Sequence, residues 1–116
     1  MDKRFEYLYE KIMKFRNDRD WEKYHDPKNL SQAISIEAAE LQETFLWKSN
    51  DQARNLNEKE IQKVKEELAD VFIFMVYMCH EFGIDLLEEV EKKLAINCRK
   101  YPIEKARGSS KKYTDL

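Results

Sequence analysis

The sequence predicts an all-α protein built as a bundle of four helices. Apolar residues recur at helical spacing in four separate segments of this 116-residue chain. Gly and Pro number only two each, which is too few for the many tight turns of an all-β fold. The length is sufficient for one domain with one hydrophobic core.

The first two predicted helices are defined by an apolar stripe and by a capping signal. The first helix runs from about Lys3 to Arg16 and carries its apolar residues on one face. After a loop, Asp26 is the predicted N-cap of the second helix and Pro27 its first residue. We expect this second helix to continue to about Trp47.

The third predicted helix follows a polar connection over residues 49–57. Asn57 and Glu60 have the spacing of a capping box at its start. The helix is expected to end at Phe82, with Gly83 in the position after the last turn.

The fourth predicted helix starts after Asp85 and runs to about Tyr101, where Pro102 stops it. The residues 102–116 are basic and lack helical periodicity, which is typical of a mobile tail. We therefore expect a domain over residues 1–101 and a basic C-terminal tail over residues 102–116.

Composition and short motifs exclude several classes of protein. With 21 basic and 23 acidic residues the net charge is −2, so no basic excess suggests a nucleic-acid partner. No glycine-rich phosphate loop is present. The longest nearly apolar run, residues 68–79, is too short to span a bilayer, and the N-terminus lacks the apolar region of a secretory signal. Cys79 and Cys98 have no zinc-type partners, and we expect reduced thiols in a cytoplasmic protein.

Two pairs of acidic residues interrupt apolar helix faces. Glu37 lies within the apolar stripe of the second helix, and Glu40 lies one turn further on at its edge. On the third helix, Glu67 precedes Asp70, which is the one acid in a run that is otherwise apolar on all sides. A buried carboxylate is costly unless it is paired, protonated or bound to a metal. The four acids therefore predict a metal site between two helices, although one such pair alone is common on solvated faces.

The donor type favours a hard cation at this site. Carboxylate oxygens without His or Cys are typical ligands of Mg²⁺ or Mn²⁺. A di-iron site in a helical bundle would need two Glu-x-x-His motifs, and only Glu22-x-x-His25 occurs, in a predicted loop. We interpret His25 and His80 as structural residues.

These motifs resemble the all-α NTP pyrophosphatase superfamily, which is MazG-like, and within it most closely the dCTP pyrophosphatases. The similarity extends over nearly the whole chain. It rests on the acid pattern and on the segments Lys14–Trp21, His25–Leu30, Trp47-Lys48, Arg99–Pro102 and Arg107–Leu116. The resemblance implies Mg²⁺-dependent hydrolysis of a (d)NTP to (d)NMP and pyrophosphate. The implied role of this reaction is to remove unwanted deoxynucleotides, with pyrimidine or modified bases, from the nucleotide pool.

The resemblance also implies roles for individual residues. Glu37, Glu40, Glu67 and Asp70 would hold the metal, and one of these acids or the metal itself would activate the attacking water. The implied substrate-binding residues are Trp21, Trp47, Lys48, Asn97, Tyr101, Arg107, Lys111 and Lys112. Two positions depart from the dCTP-type pattern, since the first helix has no histidine and Phe74 stands where those enzymes tend to have Tyr.

Two alternative functions remain open at this point. The first alternative is a non-catalytic helical interaction module, in which the acids are interface charges. The second is a related pyrophosphohydrolase of the dUTPase or phosphoribosyl-ATP type. The apolar third helix predicts self-association into a homodimer or homotetramer, because one short chain cannot easily cover it.

Overall fold

A computed structural model describes residues 2–116, and these residues form helices, turns and no β-strand. The predicted all-α class is confirmed. The described residues divide into two compact units, residues 2–83 and 84–116. Within residues 2–116, no helix has both the length and the apolar character needed to cross a membrane.

The first unit contains three of the four predicted helices and one short additional helix. The elements are α1 (Lys3–Asp18), α2 (Pro27–Glu43), α3 (Asn50–Arg54) and α4 (Glu58–Phe82), with a 3₁₀ turn at Glu22–Tyr24. The long helix α4 packs mainly against α2 and also against α1.

The ends of these helices follow from local side-chain chemistry. The Asp26 carboxylate accepts a hydrogen bond from the Asn29 main-chain N–H at 2.8 Å, and Pro27 begins α2. Asn57 and Glu60 form the predicted reciprocal capping box at the start of α4. Gly83 ends α4 with a φ of +63°, a left-handed conformation that favours glycine.

The core of the first unit joins the three long helices. Met13 of α1, Leu30 of α2 and Tyr77 of α4 form a buried cluster. The Tyr77 hydroxyl donates a hydrogen bond to the Ile12 carbonyl at 3.2 Å, so the polar end of this core residue is satisfied. This packing sets the relative positions of the helices that carry the acids.

The second helix is shorter than predicted, because α2 ends at Glu43 and not at Trp47. Phe45 and Leu46 donate main-chain hydrogen bonds to the carbonyls three residues earlier, a tighter pattern than the α-helix. Trp47 then takes a φ of +67°, which a helix cannot continue through. The connection that follows also contains a helix, since Ser49 caps the short α3.

The second unit consists of α5 (Leu86–Lys100), α6 (Ile103–Ala106) and a 3₁₀ turn at Tyr113–Asp115. The Tyr113 ring packs edge-on against Tyr101 with 6.0 Å between ring centroids, and the Lys100 ammonium lies 4.7 Å from the Tyr113 ring centroid. The prediction that residues 102–116 lack regular structure is therefore wrong for two short stretches. The predicted limits of the domain and tail stay a prediction.

Candidate active site

The packing of α2 against α4 brings acids from both helices together. Oxygen atoms of Glu37, Glu67 and Asp70 lie within 4.8 Å of one another. We call these three residues the carboxylate cluster. Their convergence agrees with the predicted metal site, in which one pair of acids comes from each helix.

Two oxygens of the cluster are buried without a partner. Oε2 of Glu37 and Oε2 of Glu67 are shielded from solvent and accept no hydrogen bond. The Glu67 side chain is buried, and its other oxygen lies 3.4 Å from the Lys63 ammonium, whose own side chain is half-exposed. Buried polar atoms are normally satisfied, so these two oxygens are free to bind a ligand.

The electrostatics of Glu37 also favour a bound cation. Burial, a hydrogen bond with Glu40 and the charges of Glu40, Asp70 and Glu67 together raise the pKa of Glu37 to about 7, with burial as the largest cause. Glu40 thus lies beside Glu37, but its oxygens are outside the three-residue group. Its assignment as a metal ligand stays a prediction.

The cluster fits a hard divalent cation. Three carboxylates offer oxygen ligands only, which suits Mg²⁺ or Mn²⁺. A cation between them would satisfy the two orphaned oxygens and relieve the repulsion that disfavours the Glu37 anion.

A cavity of about 370 Å³ adjoins the cluster, because Asp70 belongs to its wall. The other lining residues are mostly aromatic or aliphatic. They are Leu8, Lys11, Ile12 and Phe15 of α1, Trp21 and His25 of the following loop, and Ile73, Phe74 and Tyr77 of α4. An apolar cavity with a few polar groups is the usual form of a small-molecule site.

Trp21 is the predicted base-pocket residue that the structure places in this wall. Its ring packs edge-on against Phe15 with 5.7 Å between centroids. Trp21 remains partly exposed, so one part of the ring is open to a ligand.

The sequence analysis did not assign most of the cavity wall. Phe74 and Tyr77 follow Asp70 by four and seven residues, so a shared helix face could have identified them. His25 had no such signal, since its place in the wall depends on the path of a loop.

Trp47 and Lys48 are not among the residues that line this cavity. The Trp47 side chain is 92% exposed, and its backbone is in the left-handed region. The Lys48 ammonium lies 2.6 Å from the Glu60 carboxylate, and this hydrogen-bonded pair lowers the pKa of Glu60. Their substrate contacts stay predictions.

The other predicted substrate-binding residues belong to the second unit. Asn97 lies on α5 and Tyr101 directly follows it, whereas the cationic residues are exposed in the C-terminal segment. They are Arg107, Lys111 and Lys112.

The helices with a carboxylate cluster between two of them and an apolar cavity beside it define an all-α protein with a candidate metal site. The sequence model of the MazG-like family matches residues 32–116. The chain therefore belongs to the MazG-like family, and the resemblance noted in the sequence is confirmed.

Individual relatives agree with this assignment. The chain is 40% identical over 104 residues to dCTP pyrophosphatase 1 of Homo sapiens, covering 88% of this chain and 61% of the relative. The Bos taurus protein of the same name is 38% identical, with 62% of its length covered. The chain thus spans about three fifths of the curated relatives it matches. A crystal structure of a pyrophosphatase from Archaeoglobus fulgidus is 42% identical with a TM-score of 0.82, covering 88% of this chain and 95% of that one.

Proposed function

We propose that this protein is a Mg²⁺-dependent nucleoside triphosphate pyrophosphohydrolase of the cytoplasm. Water attacks the α-phosphorus of a (d)NTP, the bond from that phosphorus to the bridging oxygen breaks, and (d)NMP and pyrophosphate leave. The observation that carries the proposal is the carboxylate cluster with its two orphaned buried oxygens, beside an apolar cavity. The names of the relatives support the same reaction.

In this proposal Glu37, Glu67 and Asp70 would hold Mg²⁺ together with Glu40, which lies one helical turn after Glu37. Bound Mg²⁺ supplies neutralisation of the triphosphate charge and activation of water. The high pKa of Glu37 before a cation binds means that Mg²⁺ would have to displace a proton from part of the molecules near neutral pH.

The cavity is the proposed site of the base. Trp21 and Phe15 offer aromatic surface, and Asp70 connects this wall to the carboxylate cluster. We propose a pyrimidine deoxynucleotide, dCTP or a modified relative, because the curated relatives are dCTP pyrophosphatases.

The remaining predicted substrate contacts are part of the proposal. Asn97 and Tyr101 would contact the nucleotide, and the cations of the C-terminal segment would contact its phosphates. Trp47 does not line the cavity, and its exposed ring is a proposed substrate contact. We also propose that the protein forms a homodimer or homotetramer.

The test is hydrolysis of a panel of nucleotides with Mg²⁺, with products separated as NMP, NDP, pyrophosphate and phosphate. The panel contains dCTP, 5-methyl-dCTP, dUTP, dTTP, dATP, dGTP and the ribonucleotides. Glu67→Gln removes one charge from the cluster, and the adjacent, exposed Glu66→Gln is the matched control. We expect NMP and pyrophosphate from the wild type and the control, with a loss of at least a hundredfold in Glu67→Gln.

Two results would contradict the proposal. One is the absence of turnover of every nucleotide by folded protein with Mg²⁺, which would favour a helical interaction module. The other is equal activity of Glu67→Gln and Glu66→Gln, which would place the chemistry outside the carboxylate cluster.

A further inference from the structure

His25 occupies a defined position in the cavity wall. It follows the 3₁₀ turn, where its main-chain N–H donates a hydrogen bond to the Glu22 carbonyl at 3.1 Å. Its ring centroid lies 4.7 Å from that of Tyr77 and 6.3 Å from that of Phe74. The imidazole is therefore held by its backbone and by two aromatic side chains of α4.

One ring nitrogen of this imidazole has no partner. Nδ1 of His25 is shielded from solvent and makes no hydrogen bond. A buried polar nitrogen is costly when it stays unsatisfied. Burial, followed by the Arg16 charge, lowers the pKa of His25, so the ring is neutral at pH 7 and offers both a donor and an acceptor.

The other polar groups of the cavity wall either already have a partner or can form hydrogen bonds of one kind only. The Tyr77 hydroxyl donates to the Ile12 carbonyl, and Asp70 belongs to the carboxylate cluster. The Lys11 ammonium lies 4.7 Å from the Tyr7 ring centroid on its own helix, and the Trp21 indole is a donor only. A base has an edge of mixed donors and acceptors, and His25 is the wall residue that can match either kind.

We propose that His25 is a specificity-determining residue whose imidazole hydrogen-bonds the polar edge of the base that occupies this cavity. This inference rests on the proposed nucleotide hydrolysis. It revises the interpretation of His25 from the sequence as a purely structural residue.

The test separates hydrogen bonding from packing. His25→Phe keeps an aromatic ring against Tyr77 and Phe74 but removes both nitrogens, whereas His25→Gln keeps a donor and an acceptor. His80→Phe is the matched control, because His80 lies in the same unit and does not line the cavity. Calorimetry with Mg²⁺ measures binding of the four deoxynucleoside monophosphates and of a difluorotoluene monophosphate, an apolar isostere of the thymidine compound. The ratios of kcat/KM among the triphosphates are measured in parallel.

We expect His25→Phe to weaken binding of the preferred natural base about tenfold and to leave binding of the apolar isostere unchanged. His25→Gln should recover part of the loss, and His80→Phe should match the wild type. The ratio of kcat/KM for the preferred base to kcat/KM for each other base should fall towards one in His25→Phe.

Other outcomes would overturn the inference. An equal loss for natural base and isostere would assign His25 a packing role, and so would wild-type affinities in His25→Phe. No binding and no turnover of any nucleotide would remove both proposals. If base binding depends on His25 but no nucleotide is hydrolysed, the proposed reaction is wrong and this inference stands. If nucleotides are hydrolysed and the kcat/KM ratios among bases are the same in His25→Phe as in the wild type, this inference alone is wrong.

Discussion

Glu37 is the residue at which burial and charge act most strongly together. Its carboxyl group is partly buried beside three other acids, which raises its pKa to about 7. In the unfolded chain the pKa of a glutamate is near 4.5. Between these values the folded state binds more protons than the unfolded state, so the free energy of unfolding falls as pH rises.

Glu37→Gln tests this in the absence of divalent cations. The Gln side chain does not titrate. The free energy of unfolding of the wild type, relative to that of the variant, should therefore be greatest below about pH 4.5 and should decrease until about pH 7. Urea unfolding at several pH values, with EDTA present, measures the difference. Parallel stability curves for the two proteins would show that the environment of Glu37 does not raise its pKa.

Mg²⁺ provides the complementary test of the same residue. A cation that binds only the folded state stabilises it by mass action. At pH 7.5 we expect added Mg²⁺ to raise the Tm of the wild type by several degrees and that of Glu37→Gln by much less. An identical shift in both proteins would place the cation away from Glu37.

At the scale of elements, α4 connects the chemistry to the fold. It carries Glu67 and Asp70, supplies Phe74 and Tyr77 to the cavity wall, and ends at Gly83. Its start and its end both depend on local signals, the capping box at Asn57 and the left-handed glycine.

Gly83→Ala tests the end of α4. No atom lies within 4 Å of the position where a Cβ would be, so the cost is only the left-handed backbone, about 1 kcal/mol of unfolding free energy. Gly83→Asn is the control, because Asn tolerates this conformation better and should lose less. Urea denaturation measures both, and an equal effect of Ala and Asn would argue against backbone strain as the cause.

At the scale of the whole molecule, apolar side chains remain exposed on α4. Ile61 and Leu68 are seven residues apart, on one face, and their exposed fractions are 42% and 53%. Burial of a Leu side chain contributes about 1.5–3 kcal/mol, which supports the proposed self-association through α4.

Leu68→Glu should therefore shift the protein toward the monomer. A charge buried in an apolar contact is strongly unfavourable. Gln62→Glu adds the same charge at an exposed position about 100° around α4 from Ile61, outside the proposed interface, and should keep the wild-type assembly. Sedimentation velocity over a range of concentrations measures the change, and a monomeric wild type or an unaffected Leu68→Glu would contradict the proposed interface.

Signals that lie within a few residues of one another predicted much of the fold. The Asp26-Pro27 start of α2, the Asn57 capping box and the Gly83 end of α4 all appear in the structure as predicted. The predicted end of α2 was wrong because the change to tighter hydrogen bonding at residues 44–46 left no clear mark in the sequence.

The sequence by itself determined the four long helices and the presence of acids on the apolar faces of two of them, because helical periodicity and capping act over one or two turns. Only the tertiary structure decided that Glu37 meets Glu67 and Asp70. It also decided that His25 lines a cavity formed by α1, a loop and α4. The contacts of α4 with Glu37 and with His25 join residues that are 30 or more positions apart. Their geometry depends on how the helices pack, which no local pattern specifies.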